Sequence, residues 1–270
     1  MSIPNLPEEL LDHVVDLLRN TRDALKSCCL VSKSWVPRSR KHLFALIKFA
    51  TLAELQSWKN TFPDPSTSPG CYTKSLSISY FQKFTVAEVG GWIPAFSQVV
   101  HFKMFIRGTA IGDRAVSLIP FHGFTACVKS LRISSIHCPI SCISNLIDSF
   151  PLLENLFVDA YSDSPNGRLA AVQPPSPTSS PPPFTGFLKL RIREGIEPIS
   201  SRLLSLSGGL HFRELDLLWN REHDVFSTSA LVESCGSTLE SLRIQCQIST
   251  SVRHLRIRLQ LTPVRGQVIG

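Results

Sequence analysis

Seven short segments of this chain repeat one apolar-x-apolar core at a near-constant distance, and that period constrains the fold more than any other feature. KSLSI (from Lys74), VHFKMF (Val100), VKSLRI (Val128), LENLFV (Leu153), FLKLRI (Phe187), FRELDL (Phe212) and LESLRI (Leu239) place anchors at Leu76, Phe102, Leu131, Leu156, Leu190, Leu215 and Leu242. Successive anchors lie 26, 29, 25, 34, 25 and 27 residues apart. A period of this size marks stacked supersecondary units, each burying its apolar edge against the next. The one long interval contains VQPPSPTSSPPPF (Val172 to Phe184), a Pro/Ser stretch that supports neither helix nor sheet, so 163–184 is expected to loop out as a disordered insertion.

Between the anchors lie helix candidates: Ile140 to Phe150, Ile199 to Leu206 and Val225 to Cys235. Strand followed by helix at a fixed period predicts an α/β fold with a parallel sheet on one side and helices on the other. Alternation along a strand then assigns faces: Leu242 and Ile244 point into the core, and Ser241, Arg243 and Gln245 point outward. The same logic puts Arg132, Lys189, Arg191, Arg193 and Asp216 on that outer surface, with Arg132, Arg191 and Arg243 each following an anchor leucine. With strands about 4.8 Å apart, these side chains form a mostly basic stripe. It suits an acidic or phosphorylated target, since guanidinium forks match carboxylate and phosphate oxygens. It equally suits a solvated face whose charge discourages aggregation. The formal net charge of +7 favours acidic partners without choosing among nucleic acid, phosphorylated protein and acidic membrane. Ser164-Pro165, Ser176-Pro177 and Ser180-Pro181 in the insertion are candidate sites for proline-directed phosphorylation. A last anchor, Leu255, follows Leu242 by only 13 residues, too few for a full repeat, so 251–270 reads as a divergent or truncated tail without the polar cap a stack needs.

The N-terminus is built differently. On a helix, LPEELLDHVVDLL (Leu6 to Leu18) spreads Leu10, Leu11, Val14, Val15, Leu17 and Leu18 over an arc of roughly 160°, where a surface helix needs about 100°. Asn20 or Thr21 can cap a second helix carrying Leu25, Cys28, Cys29 and Val31, and Ser32 can start a third bearing Trp35. Three short helices in some 40 residues are too few to build an ample core alone. The surplus apolar arc is therefore expected to serve another protein, or else to pack on the rest of this chain.

These residues resemble the F-box motif: Leu6-Pro7, Glu9-Leu10-Leu11, Leu25 and Val31-Ser32-Lys33-Ser34-Trp35 occur in its order and spacing. The chain resembles an F-box protein with degenerate leucine-rich repeats. That resemblance implies an F-box at 1–45, a connecting helix and linker at 46–73, and a curved solenoid at 74–250. It implies docking on the Skp-family adaptor, and through it on a cullin scaffold, by Leu6, Pro7, Leu10, Leu11, Val14, Leu25, Val31 and Trp35, at adaptor-contact or core positions. The repeats would then hold an unknown protein substrate for ubiquitination. The asparagine ladder of sharper repeats is missing.

The chain contains no P-loop, GxGxxG after a strand, HExxH or GxSxG, so no catalysis and no cofactor are expected. The eight cysteines include no CxxC pair, and HCPISC (His137 to Cys142) lacks two further ligands, so reduced thiols without metal are expected. No apolar run is long enough to cross a membrane, and a cytoplasmic or nuclear protein is expected. Two rival classes remain: a repeat scaffold without a ligase role, and a basic-surface protein that binds nucleic acid. The second needs aromatics interleaved with the arginines to stack bases, and few are evident on the strands, which disfavours it.

Overall fold

The period found in the sequence sets the order of the sheet. In the computed structural model, which describes residues 7–81, 92–107, 127–136, 140–161, 183–193, 195–206, 208–247 and 254–260, nine strands pair strictly in chain order. They are β1 (Leu46–Phe49), β2 (Ser75–Phe81), β3 (His101–Arg107), β4 (Ser130–Ile136), β5 (Asn155–Tyr161), β6 (Phe187–Ile192), β7 (Glu214–Trp219), β8 (Ser241–Gln247) and β9 (His254–Gln260). The first eight are parallel, so each connection must cross over and return beside its predecessor. The α/β expectation holds, with a mostly parallel sheet.

A repeated hydrogen-bond device starts the strands in register. The Ala45 carbonyl accepts from the amides of Lys74 and Ser75, that of Lys74 from Val100 and His101, and that of Val100 from Lys129 and Ser130. The same two-donor pattern recurs at Lys129 and Arg213. The resulting row Leu76, Phe102, Leu131, Leu156, Leu188, Leu215, Leu242 is almost fully buried. One anchor differs: Leu188, not Leu190, is the register partner of Leu156 and Leu215. A two-residue offset leaves every side chain on its own face, so the burial pattern conceals it.

Among the described residues, three helices between strands cover the sheet: α5 (Ile140–Asp148), α6 (Glu197–Leu204) and α7 (Asp224–Cys235). Their Ile143, Leu146, Ile147, Ile199, Leu203 and Leu231 join the inward strand residues in one continuous core. Asp224, fully buried at the start of α7, holds the preceding loops: its Oδ1 accepts from the Ile196 amide (2.8 Å) and its Oδ2 from those of Asn220 (2.8 Å) and Arg221 (3.0 Å). Gly195 sits against it at φ 104, where a Cβ would come 2.9 Å from Oδ1, so only glycine fits.

Three expectations about boundaries change. The segment 46–73 is not all linker, because LIKF forms the first strand and pairs with β2; α4 (Leu52–Thr61) follows, with Thr51 Oγ1 accepting from the Glu54 amide. The insertion stops short of Phe184, which is fully buried and packs on Phe212 with ring centroids 5.1 Å apart; 162–182 lies outside the described residues. The short final spacing exists because β9 turns back antiparallel on β8, which needs no crossover helix.

At the N-terminus, α1 (Glu8–Leu17), α2 (Arg22–Val31), a 3-10 turn (Lys33–Trp35) and α3 (Val36–Leu43) form a helical unit. An aromatic cluster of Phe44, Phe49, Trp58, Phe62 and Phe96 joins it to the sheet, with Trp58 5.9 Å from Phe44, 5.8 Å from Phe49 and 6.1 Å from Phe96.

Candidate functional site

Two surfaces carry unusual chemistry. The first is on the helical unit, where the wide apolar arc of α1 divides. Leu11, Val15 and Leu18 turn inward, with Val15 buried and the other two half-buried. Leu10 (52% exposed), Val14 (44%) and Leu17 (72%) face solvent. On α2, Leu25 and Cys28 are buried while Leu30 (89%) and Val31 (68%) are exposed.

What turns α1 this way is a carboxylate. Asp16, half-buried at the flank of the arc, receives Arg38 Nε (2.6 Å) and the Arg38 Nη2, and lies 2.7 Å from His42 Nε2 on α3. Hydrogen bonds from Arg38 and then His42 hold the Asp16 carboxyl well below the usual carboxylate range. A two-toothed guanidinium–carboxylate pair fixes orientation as well as distance. Here it keeps part of the polar side of α1 against α3 and rotates Leu10, Val14 and Leu17 out.

The residues expected at an adaptor interface therefore separate. Pro7, Leu10, Val14 and Val31 are exposed, and Leu11 and Trp35 are half-buried. Leu25 is 1% exposed and serves the interior of the unit rather than its surface. Leu6 lies outside the described residues. Leu17 and Leu30 were missed as surface residues; the arc of α1 contained Leu17, and nothing in the pattern of α2 singled out Leu30.

The second surface is the outward face of the sheet. Lys48, Ser77, Lys103, Arg132, Phe157, Lys189, Asp216 and Arg243 form one row of register partners from β1 to β8. Arg191 stands one pleat further along, opposite Asp159, so Lys189 is the register equivalent of Arg132 and Arg243. Arg193 is exposed in the turn after β6.

The row is not uniformly basic. Asp216, 3% exposed, lies 3.0 Å from Lys189 Nζ, 3.7 Å from Arg191 Nη2 and 4.0 Å from Arg243 Nη1, all through Oδ2. One carboxylate thus gathers three of the five cations expected to meet a target. At the other end, Lys48, Lys103 and Arg132 have no carboxylate within ion-pair distance among the described residues. Arg132 lies 6.0 Å from the Phe157 ring centroid, and a cavity of about 290 Å³ opens beside it, lined by Ser75, His101, Lys103, Ser130, Arg132 and Phe157. The sequence could signal the charges but not this partition, because Asp216 reaches its partners only across neighbouring strands.

Among the described residues, no three His, Cys, Asp or Glu side chains come together as a metal site, and no helix is long and apolar enough to cross a membrane. Burial pushes the Cys235 thiol up to about 11, and Cys28 and Cys246 are also buried. His137 and Cys138 lie outside the described residues. No protein-family model, curated protein or solved structure matches the chain.

Proposed function

We propose that this chain is the substrate-recognition subunit of an SCF-type ubiquitin ligase, in which the N-terminal helices are an F-box docked on a Skp-family adaptor and a repeat solenoid carries the target. The observation that carries the reading is the outward set Leu10, Val14, Leu17, Leu30 and Val31 on a unit otherwise well ordered by Asp16, Arg38 and His42. Fully burying a leucine or valine contributes about 1.5–3 kcal/mol, so leaving five largely in water is costly unless a second polypeptide covers them. The order and spacing of the F-box motif name the adaptor as that polypeptide. Ubiquitin transfer then belongs to other subunits, and this chain contributes proximity, holding target and ligase at high effective concentration.

The test is co-purification of the full chain with the purified adaptor on a sizing column. A stoichiometric complex is expected, lost in Leu10→Asp and in Leu30→Asp, because each places a charge in a closing apolar interface. Both positions face solvent, so both variants keep the native melting temperature. Failure of the wild-type chain to bind the adaptor, or undiminished binding by both variants, overturns the reading.

A further inference from the structure

One half of the outer sheet face combines three features: cations with no carboxylate within ion-pair distance among the described residues, aromatic rings and a cavity between them. Lys48, Lys103 and Arg132 occupy one register row over β1 to β4, spanning about 14 Å at ordinary strand spacing. Phe105, Phe157 and Phe187 stand on the same face, each half-buried, with Phe157 and Phe187 centroids 5.0 Å apart. Outward aromatics among basic residues are the feature whose apparent scarcity in the sequence disfavoured a nucleic-acid partner. The fold supplies them, because Phe157 follows its anchor leucine on β5 as Arg132 does on β4.

We propose that this face, over β1 to β6, binds single-stranded nucleic acid: Lys48, Lys103 and Arg132 meet the phosphates, and a base enters the cavity to stack on Phe157. A solvated face that merely resists aggregation needs the charges but not the rings. A phosphorylated side chain also needs only cations. A single strand uses both, since every base has a flat face to stack and every linkage carries one charge. The cavity, at about 290 Å³, is several times the roughly 30 Å³ of one water, so it admits a planar group and not only an ion. Ser75, Ser130 and His101 along its edge add hydroxyl and imidazole groups for the base and sugar edges. The Asp216 cluster marks the other end of the row, where Lys189, Arg191 and Arg243 already share a carboxylate. This inference goes beyond the ligase reading and does not require the adaptor.

The experiment is fluorescence anisotropy of the full chain with labelled twelve-nucleotide oligouridylate and oligothymidylate between 50 and 200 mM salt. Three neutralised phosphates give a log–log salt slope of about −2, falling to about −0.7 in the double variant Lys103→Met, Arg132→Met. Phe157→Ala weakens binding about 5- to 150-fold, as expected for one lost stack, and Phe157→Leu, which keeps the apolar bulk, weakens it comparably. Arg243→Met, beside Asp216, changes affinity less than twofold. Tighter binding of the uridylate assigns an RNA ligand, and equal binding a strand of either sugar. The proposal is overturned if neither oligonucleotide binds at 50 mM salt, if both Phe157 variants bind as the native chain does, or if a phosphoserine peptide or polyglutamate displaces the oligonucleotide at equal charge concentration. None of these outcomes alters adaptor binding, which Leu10 and Leu30 report separately.

Discussion

The helical unit and the sheet spend their apolar residues in opposite ways. In the sheet, every anchor from Leu76 to Leu242 is buried, and one core runs unbroken from Ile47 to Cys246. Among the described residues of the helical unit, only Val15, Leu25 and Cys28 are buried apolar residues, none belongs to that core, and five others stand outside. The mostly parallel sheet buries its inward face under helices of its own chain, so each apolar strand residue finds its cover locally. The three-helix unit meets the rest of the chain through Phe44, and α1 is oriented by an ion pair instead. The two surfaces therefore differ in kind: on the helices the exposed set is apolar, and on the sheet it is charged and aromatic.

Leu131→Ala, in the middle of the sheet and fully buried, is expected to cost about 2–5 kcal/mol by urea denaturation. Leu17→Ala, on the outward side of α1, should stay within about 0.5 kcal/mol. Equal losses at the two positions would mean that α1 packs on its own chain after all. Asp224→Ala strips the acceptor from three backbone amides and is expected to cost about 3 kcal/mol, with Asp224→Asn retaining part of it.

A smaller effect separates the two ends of the outer face. Asp216→Ala should cost about 1 kcal/mol, since its three cations can turn to water, while raising affinity for heparin by freeing them. An unchanged heparin elution would show that the cluster does not mask the row.

The helical unit can be probed by pH. The folded-state pKa of Asp16 is depressed, so its stabilisation is present above the unfolded carboxylate value near 3.9 and is lost as pH falls through the folded value. The melting temperatures of native and Asp16→Asn chains should therefore differ at pH 7 and converge in acid. A constant difference across that range would exclude the ion pair as the cause. The mildest probe is thiol labelling at pH 8: exposed Cys71 should react with iodoacetamide in the folded chain and Cys235 only after unfolding, given its burial and its raised pKa near 11.

The sequence was readable wherever a local pattern and its structural meaning coincide. Apolar alternation around Leu131 and Leu242 marks strands whether or not their neighbours are known, and the 25- to 29-residue spacings imply parallel neighbours because only a crossover needs that length. The N-terminal helices were likewise legible, since Thr21, Asp23 and Ser32 are local boundary signals. Legibility ended where two registers satisfy one pattern. Leu188 and Leu190 are both buried on the same face, and only the pairing with Leu156 selects the first. It ended also at Leu255, where a spacing too short for a crossover is ample for an antiparallel return.

Side-chain periodicity along single elements therefore sets the α/β class, the strand faces and the apolar surplus on α1. Which half of that surplus stays in water is set between elements, through Asp16 meeting Arg38 and His42 from another helix. Which cations of the outer row remain open is set in the same way, through Asp216 gathering Lys189, Arg191 and Arg243 across three strands. Both outcomes depend on charges brought within hydrogen-bonding or Coulomb range by pairing between elements, and no periodicity along a single chain encodes that distance.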